Sequence, residues 1–169
     1  KNYTVTDKAD GMRKLMYINN NGKIYLLPTS LNIEFTGCIT ENKEIFNTII
    51  DGEHILHNKK GEFINLYAAF DIYFINGKNI TGLPFINVLK DENKSQKTED
   101  KNFRLIILNS VIRKAGLISI INKNKPSLEL NIKKFYANNI FNGCANILTN
   151  VDKGLYSYNT DGLIFTPAN

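Results

Sequence analysis

The amino-acid sequence predicts an α+β domain, with mainly antiparallel sheets and flanking helices. Three observations lead there. Gly-containing turn signals break up alternating apolar and polar residues three times within the first eighty positions. One later run carries apolar residues at helical spacing. The segments then follow in the order strands, helix, strand, helix, strand.

"TVTDKADGMRKLMYI" (4–18) reads as two short strand-like pieces, with Lys8 at the mouth of a tight turn between them. "LMYINNNGKIYLL" is a hairpin about Asn21-Gly22, since both residues tolerate the positive φ of such a turn. "HILHNKKGEFINL" repeats the device at Lys60-Gly61, and "AAFDIYFINGKNI" at Asn76-Gly77. "LKDENKSQKTEDKN" (89–102) is charged and core-poor, a solvated loop or helix start. "FRLIILNSVIRKAG" places Phe103, Ile106, Ile107 and Val111 on one helical face, with Gly116 as the stop. "LELNIKKFY" alternates again, a strand. "NNIFNGCANILTN" is a second helix, weakened by Gly143, and "GLIFTP" a short buried strand ended by Pro167.

The chain has 169 residues, enough for one domain, and 43% are hydrophobic, enough for a packed core. A net charge of +5 is compatible with a polyanionic partner but does not identify one. Two distant cysteines, Cys38 and Cys144, form neither a disulfide framework nor a zinc motif, which points to an intracellular reducing compartment. No run is long and apolar enough to span a membrane, and "KNYTVTDK" is no signal peptide. A chain that starts without Met and stops at "FTPAN" reads as a piece of a longer protein.

Four pieces set charged or aromatic residues at the ends of apolar strands, often beside glycine: "DKADGMR" (7–13), "IIDGEHI" (49–55), "AAFDIYFI" (68–75) and "YNTDGLIFTP" (158–167). Singly each is weak, because Asp-Gly is most often a plain turn and a lone lysine a surface residue. Together and in this order they resemble the covalent nucleotidyltransferases, the superfamily of mRNA capping enzymes and polynucleotide ligases. Lys8, Asp10, Gly11 and Arg13 resemble the nucleotidyl-attachment motif Lys-x-Asp-Gly-x-Arg. Asp51-Gly52-Glu53, Ala69-Phe70-Asp71 and Asp161-Gly162-Leu163-Ile164-Phe165 resemble the three motifs that follow. "TDGLIFTP" and "NIKKFY" are similar to the capping guanylyltransferases, and "YTVTDKADGMRKLMYI" to those of large nucleocytoplasmic DNA viruses.

The resemblance implies an ATP-grasp-like nucleotidyltransferase core over residues 1–169, part of a longer capping enzyme. A further lysine-bearing strand and an OB-fold domain would lie beyond Asn169, which puts activity of the isolated piece in question. It implies Lys8 as the nucleophile toward the α-phosphate of GTP, and Arg13 and Glu53 on the ribose. Phe70 would stack on the base, and Lys133 or Lys134 would read guanine. Mg²⁺ or Mn²⁺ would sit on Asp161, with Glu53 second, ribose or metal for Glu53 being left open. The partners implied are the 5′-diphosphate end of an RNA, and triphosphatase and methyltransferase units on the same or an associated chain. The place implied is a viral protein in host cytoplasm or virion.

The chemistry asks for these residue types. A lysine nucleophile must be neutral, and at a pKa of roughly 10.4 only about one amine in a thousand is free near neutrality. Nearby positive charge, metal or desolvation lowers that pKa, so a cleft shared with Arg13, Lys133 and a cation is expected. Asp10 more plausibly holds the turn than takes a proton, and Gly11 lets the backbone approach closely. His54 and His57, three apart on a strand, read as packing or surface residues rather than a zinc pair. Two alternatives stay in view: an ATP-dependent ligase adenylation domain, and a non-catalytic RNA-binding module with a decayed site.

Overall fold

The computed structural model describes residues 2–88, 102–122, 124 and 126–169. The charged run at 89–102 falls outside these residues except for Asn102. In chain order the elements are β1 (Tyr3–Ala9), β2 (Met12–Ile18), β3 (Lys23–Pro28), β4 (Glu34–Ile39), β5 (Thr48–His57), β6 (Phe63–Ile75) and β7 (Lys78–Asn79). They continue with α1 (Arg104–Lys114), β8 (Ile118–Ser119), β9 (Glu129–Ile132), α2 (Ile140–Asp152) and β10 (Thr160–Pro167). The α+β class and the three hairpin turns agree with the sequence reading. One pairing departs from the antiparallel rule: β9 runs parallel to β6.

The strands form two sheets. A large one has the order β7-β6-β5-β2-β3-β4-β8, with β9 beside β6; a small one holds only β1 and β10. The stretch 4–18 is therefore no hairpin. β1 runs through Lys8 to Ala9 in the small sheet, and Asp10-Gly11 carries the chain across to β2 in the large one.

Alternation along β2, β3 and β5 sorts side chains onto two faces. The inner face carries Met16, Ile18, Ile24, Leu26 and Ile50, all buried, and α1 joins that core through Leu105, Ile107, Leu108 and Val111. The helix phase thus differs from the expected one: Leu105 and Leu108 face the core, and Phe103 and Ile106 do not. Four consecutive apolar residues, 105–108, cover most of a helical turn, so periodicity alone cannot fix the phase. Gly52 lies on the inner face, where a Cβ would come within 2.5 Å of the Tyr67 ring. That ring is fully buried, and its hydroxyl donates to the Lys14 carbonyl at 2.8 Å.

A second, smaller core joins Ala9 and Tyr158 from the small-sheet side to Ile55, Leu66 and Ala68 of the large sheet. It seats the small sheet against one end of the outer face, and the space between the two sheets beside this contact is where the expected cleft falls. β10 is not the buried strand expected: Ile164 is 39% and Phe165 50% exposed. It pairs with β1 on one side only, so a short apolar run here marks an edge strand rather than a central one.

Candidate active site

Lys8 and Asp161 meet at the mouth of this cleft. Lys8 Nζ donates to both carboxylate oxygens of Asp161 at 2.9 Å. A β-bulge makes the meeting possible. Asp7 pairs with Leu163 and Ala9 with Thr160, so Lys8 alone faces two residues, Asp161 and Gly162. Regular pairing would set Gly162 opposite Lys8. The extra residue re-aims the strand and brings the carboxylate to the amine. Gly162 has φ of 153°, which a residue with a Cβ adopts only under strain.

On the large sheet, Arg13 and Glu53 are direct cross-strand partners. Arg13 grips Asp51 with two nitrogens, Nε to Oδ1 at 3.1 Å and the terminal nitrogen to Oδ2 at 2.6 Å. Asp51 is fully buried and also accepts from the Tyr73 hydroxyl at 2.6 Å. Burial, then that bond, pushes the Tyr73 hydroxyl up to about 12. Arg13 is held firmly protonated by Asp51, and its guanidinium carbon lies 6.0 Å from the centre of the Phe70 ring. Phe70 is half-buried beneath it. The next motif residue, Asp71, forms an ion pair with Arg104 at 2.9 Å instead of entering the cleft.

Glu53 ties the two halves together. Burial raises its pKa, while Lys133, the Gly11 N–H and Lys8 pull it down. A Cβ on Gly11 would lie 2.9 Å from the Glu53 side chain and 2.7 Å from the His54 carbonyl, so the link between the sheets passes here only as glycine.

Lys133 and Lys134 part company. Lys133 is buried, donates to the Asp7 carbonyl, and lies 3.4 Å from the Asp7 carboxylate. Lys134 is exposed and sits 4.9 Å over the Tyr136 ring. Of the two, only Lys133 shares the electrostatics of Glu53. Burial lowers its pKa, opposed by Asp7.

The protein's own side chains do not supply the expected lowering. The surroundings raise the pKa of Lys8: the hydrogen bond and charge of Asp161 lead, with Asp10 and Glu53 adding to them. The cations Arg13 and Lys133 are each engaged by a buried aspartate, so their charge is spent before it reaches Lys8.

The sequence reading gave Asp51 no role beyond its motif and missed Asp7, Tyr73 and Tyr158. Asp51 carried a signal, since two-residue alternation sets it on the face of Glu53 and Arg13. Asp7 carried none, because an acid before a lysine reads as a surface charge pair. His54 is buried against Asn65 at 2.7 Å and His57 is exposed. Among the described residues no cluster of three or more His, Cys, Asp or Glu could enclose a metal ion, and no helix is long and apolar enough to cross a membrane.

Comparison with known proteins adds to this geometry. A family model described as the catalytic domain of mRNA capping enzymes matches residues 1–169. A probable mRNA-capping enzyme of Acanthamoeba polyphaga mimivirus is 29% identical over 170 residues, covering 98% of this chain and 13% of the relative. Two solved structures share the fold over 99% of this chain and 49% of theirs. They are mycobacterial DNA ligase D complexed with ATP and MES, at TM-score 0.58, and the ligase domain from M. tuberculosis LigD, at 0.57, each 12% identical. The chain thus spans a small part of the curated relative and about half of each solved chain.

Proposed function

The chain belongs to the mRNA capping enzyme catalytic-domain family, and from that premise we propose that it is the nucleotidyl-transfer core of an mRNA guanylyltransferase. The observation that carries this is the meeting of Lys8 with Asp161, 153 positions apart, in a cleft shared with Glu53. Neutral Lys8 attacks the α-phosphate of GTP. An N–P bond forms, the bond to pyrophosphate breaks, and the amine gives up a proton. The terminal phosphate oxygen of an RNA 5′-diphosphate then displaces Lys8 from GMP, and the capped end leaves.

Arg13 and Glu53 hold the ribose and Phe70 takes a face of the base. Arg13 is pre-set for this by Asp51 and Tyr73. Lys133 reads guanine: an ammonium has three donors, and Asp7 engages two of them. Asp161 would hold a divalent cation, and Glu53 either joins it there or stays on the ribose. A half-exposed carboxylate, alone or with a second, suits an ion that keeps waters and takes phosphate oxygens. When bound, Mg²⁺ or Mn²⁺ offsets the charge that develops as pyrophosphate leaves. Whatever draws the Asp161 carboxylate away from Nζ lowers the Lys8 pKa and frees the amine. The length of the viral relative leaves room for triphosphatase and methyltransferase units on the same chain, and its source supports a viral protein working in host cytoplasm or virion.

The test is covalent labelling of the full-length protein. Label from α-labelled GTP but not ATP, surviving denaturation, is the expected result; label from ATP alone makes it a ligase, and none from either makes it a binding module. A separate readout tests the Lys8–Asp161 contact. Without added cation, Asp161→Asn is expected to speed modification of Lys8 by an amine-reactive reagent, because the largest cause of its raised pKa is gone. Equal rates in the two proteins would show that the carboxylate does not hold that proton.

A further inference from the structure

We propose that the open part of the outer sheet face, beside the cleft, is a stacking platform for the leading nucleotides of a single-stranded RNA acceptor. The proposal rests on the guanylyltransferase reading and assigns it an acceptor surface. Four neighbouring strands set Ile49, Tyr17, Tyr25 and Phe35 in one row. Tyr17 pairs with Ile49 on one side and Tyr25 on the other, and Tyr25 pairs with Phe35. The Tyr25 and Phe35 rings are 5.3 Å apart at 45°. Phe35 is 43% exposed, and Tyr17 and Tyr25 are partly exposed.

The row is continuous with the cleft floor. One pair further along the same face, Leu15 lies between Leu27 and Asp51, and the next pair is Arg13 with Glu53. Neither helix claims the row: α1 packs on β6 and β9 and buries its apolar residues in the inner core, and α2 packs on β1.

Size and charge select the occupant. Three inter-strand steps of ~4.8 Å make the row ~14 Å long, close to the span of four to five bases stacked at about 3.4 Å. Asp51 and Glu53 are the carboxylates that β2, β3 and β5 place on this face, and Arg13 already pairs with the first. Alternation puts the exposed Lys23 on the same face beyond Tyr25. Aromatic rings with an exposed cation at one end accept the π-faces and phosphates of a single strand without reading sequence. A duplex hides its base faces and gains nothing from such rings.

The experiment uses the full-length protein and 5′-diphosphate RNAs of one to eight nucleotides. In the wild type, the acceptor KM is expected to fall with length to about four nucleotides and then level off. In Tyr25→Ala/Phe35→Ala the KM for the octamer rises about tenfold and the length dependence flattens, while GTP labelling of Lys8 without RNA is unchanged. Tyr25→Leu/Phe35→Leu keeps the apolar area and fold but behaves like the alanine pair, and Phe35→Trp restores tight binding. Anisotropy with a labelled octamer reads the platform without the reaction. Unchanged octamer affinity in both double variants overturns the proposal and leaves the face to a protein partner. Duplex RNA binding as tightly as single-stranded overturns it too. Absence of GTP labelling in the wild type, with the octamer still bound through the rings, would sink the guanylyltransferase reading and leave the platform standing.

Discussion

Lys8→Ala protein, given α-labelled GTP and a divalent cation, carries no label after denaturation. The adduct needs a nitrogen at this place, and among the described residues the lysines that could be asked to replace it are otherwise engaged. Lys133 is buried and bound to Asp7. Lys134 is engaged over the Tyr136 ring. Lys14 is buried on the opposite sheet face, paired with Glu34 at 2.7 Å. Lys8→Arg is expected to fail as completely. A guanidinium would keep the ion pair with Asp161 but not yield a neutral nucleophile, since its pKa lies above about 12. Neither substitution should move the melting midpoint appreciably, because the pair is about half exposed and solvent screens it. Loss of label with an intact fold therefore separates nucleophile from structural support. Retained label in Lys8→Ala would falsify the assignment.

The sheets and the motif order were legible because both are written locally. Asn-Gly and Lys-Gly turns fix hairpins by backbone preference, and alternation assigns faces. What was hidden depends on pairing between distant segments. No local pattern says that Tyr3–Ala9 leaves its neighbour β2 to pair with a strand starting at Thr160. The bulge opposite Lys8 exists only in that pairing, so the direction of the Lys8 shift was hidden with it. Sequence reasoning counted the cations near Lys8 but not the aspartates that occupy them. Asp51 neutralises Arg13, Asp7 neutralises Lys133, and the carboxylate that leads the Lys8 shift is Asp161, with Asp10 and Glu53 behind it. The face of α1 was hidden for a simpler reason, an apolar run too long to carry a phase.

Asp7→Ala is expected to destabilise the fold more than any change in the cleft, by about 3–5 kcal/mol. Asp7 is 1% and Lys133 5% exposed, and Asp7 directly precedes Lys8 on β1. Lys133 already has a depressed pKa, with burial outweighing the help of Asp7. Removing the carboxylate leaves an ammonium with the same burial, the backbone carbonyl of residue 7 as its hydrogen-bond partner and the more distant charge of Glu53. Tyr158 loses its acceptor as well, a bond of 3.0 Å. Asp7→Asn keeps an oxygen for both donors and should cost less. Asp7→Ala combined with Lys133→Met should also cost less than Asp7→Ala alone, because no buried charge is then stranded. The pH dependence has a definite sign. Between the folded pKa of Lys133 and its ordinary 10.5, the unfolded chain binds more protons, so stability from this group rises with pH. Loss of Asp7 lowers the folded pKa further and extends that rise toward neutrality. Urea midpoints near neutrality and at about pH 9.5 should therefore converge on wild type at the higher pH. A penalty that stays constant with pH would show that Asp7 stabilises through Tyr158 and the strand alone, and that the lysine is not charged where it is buried.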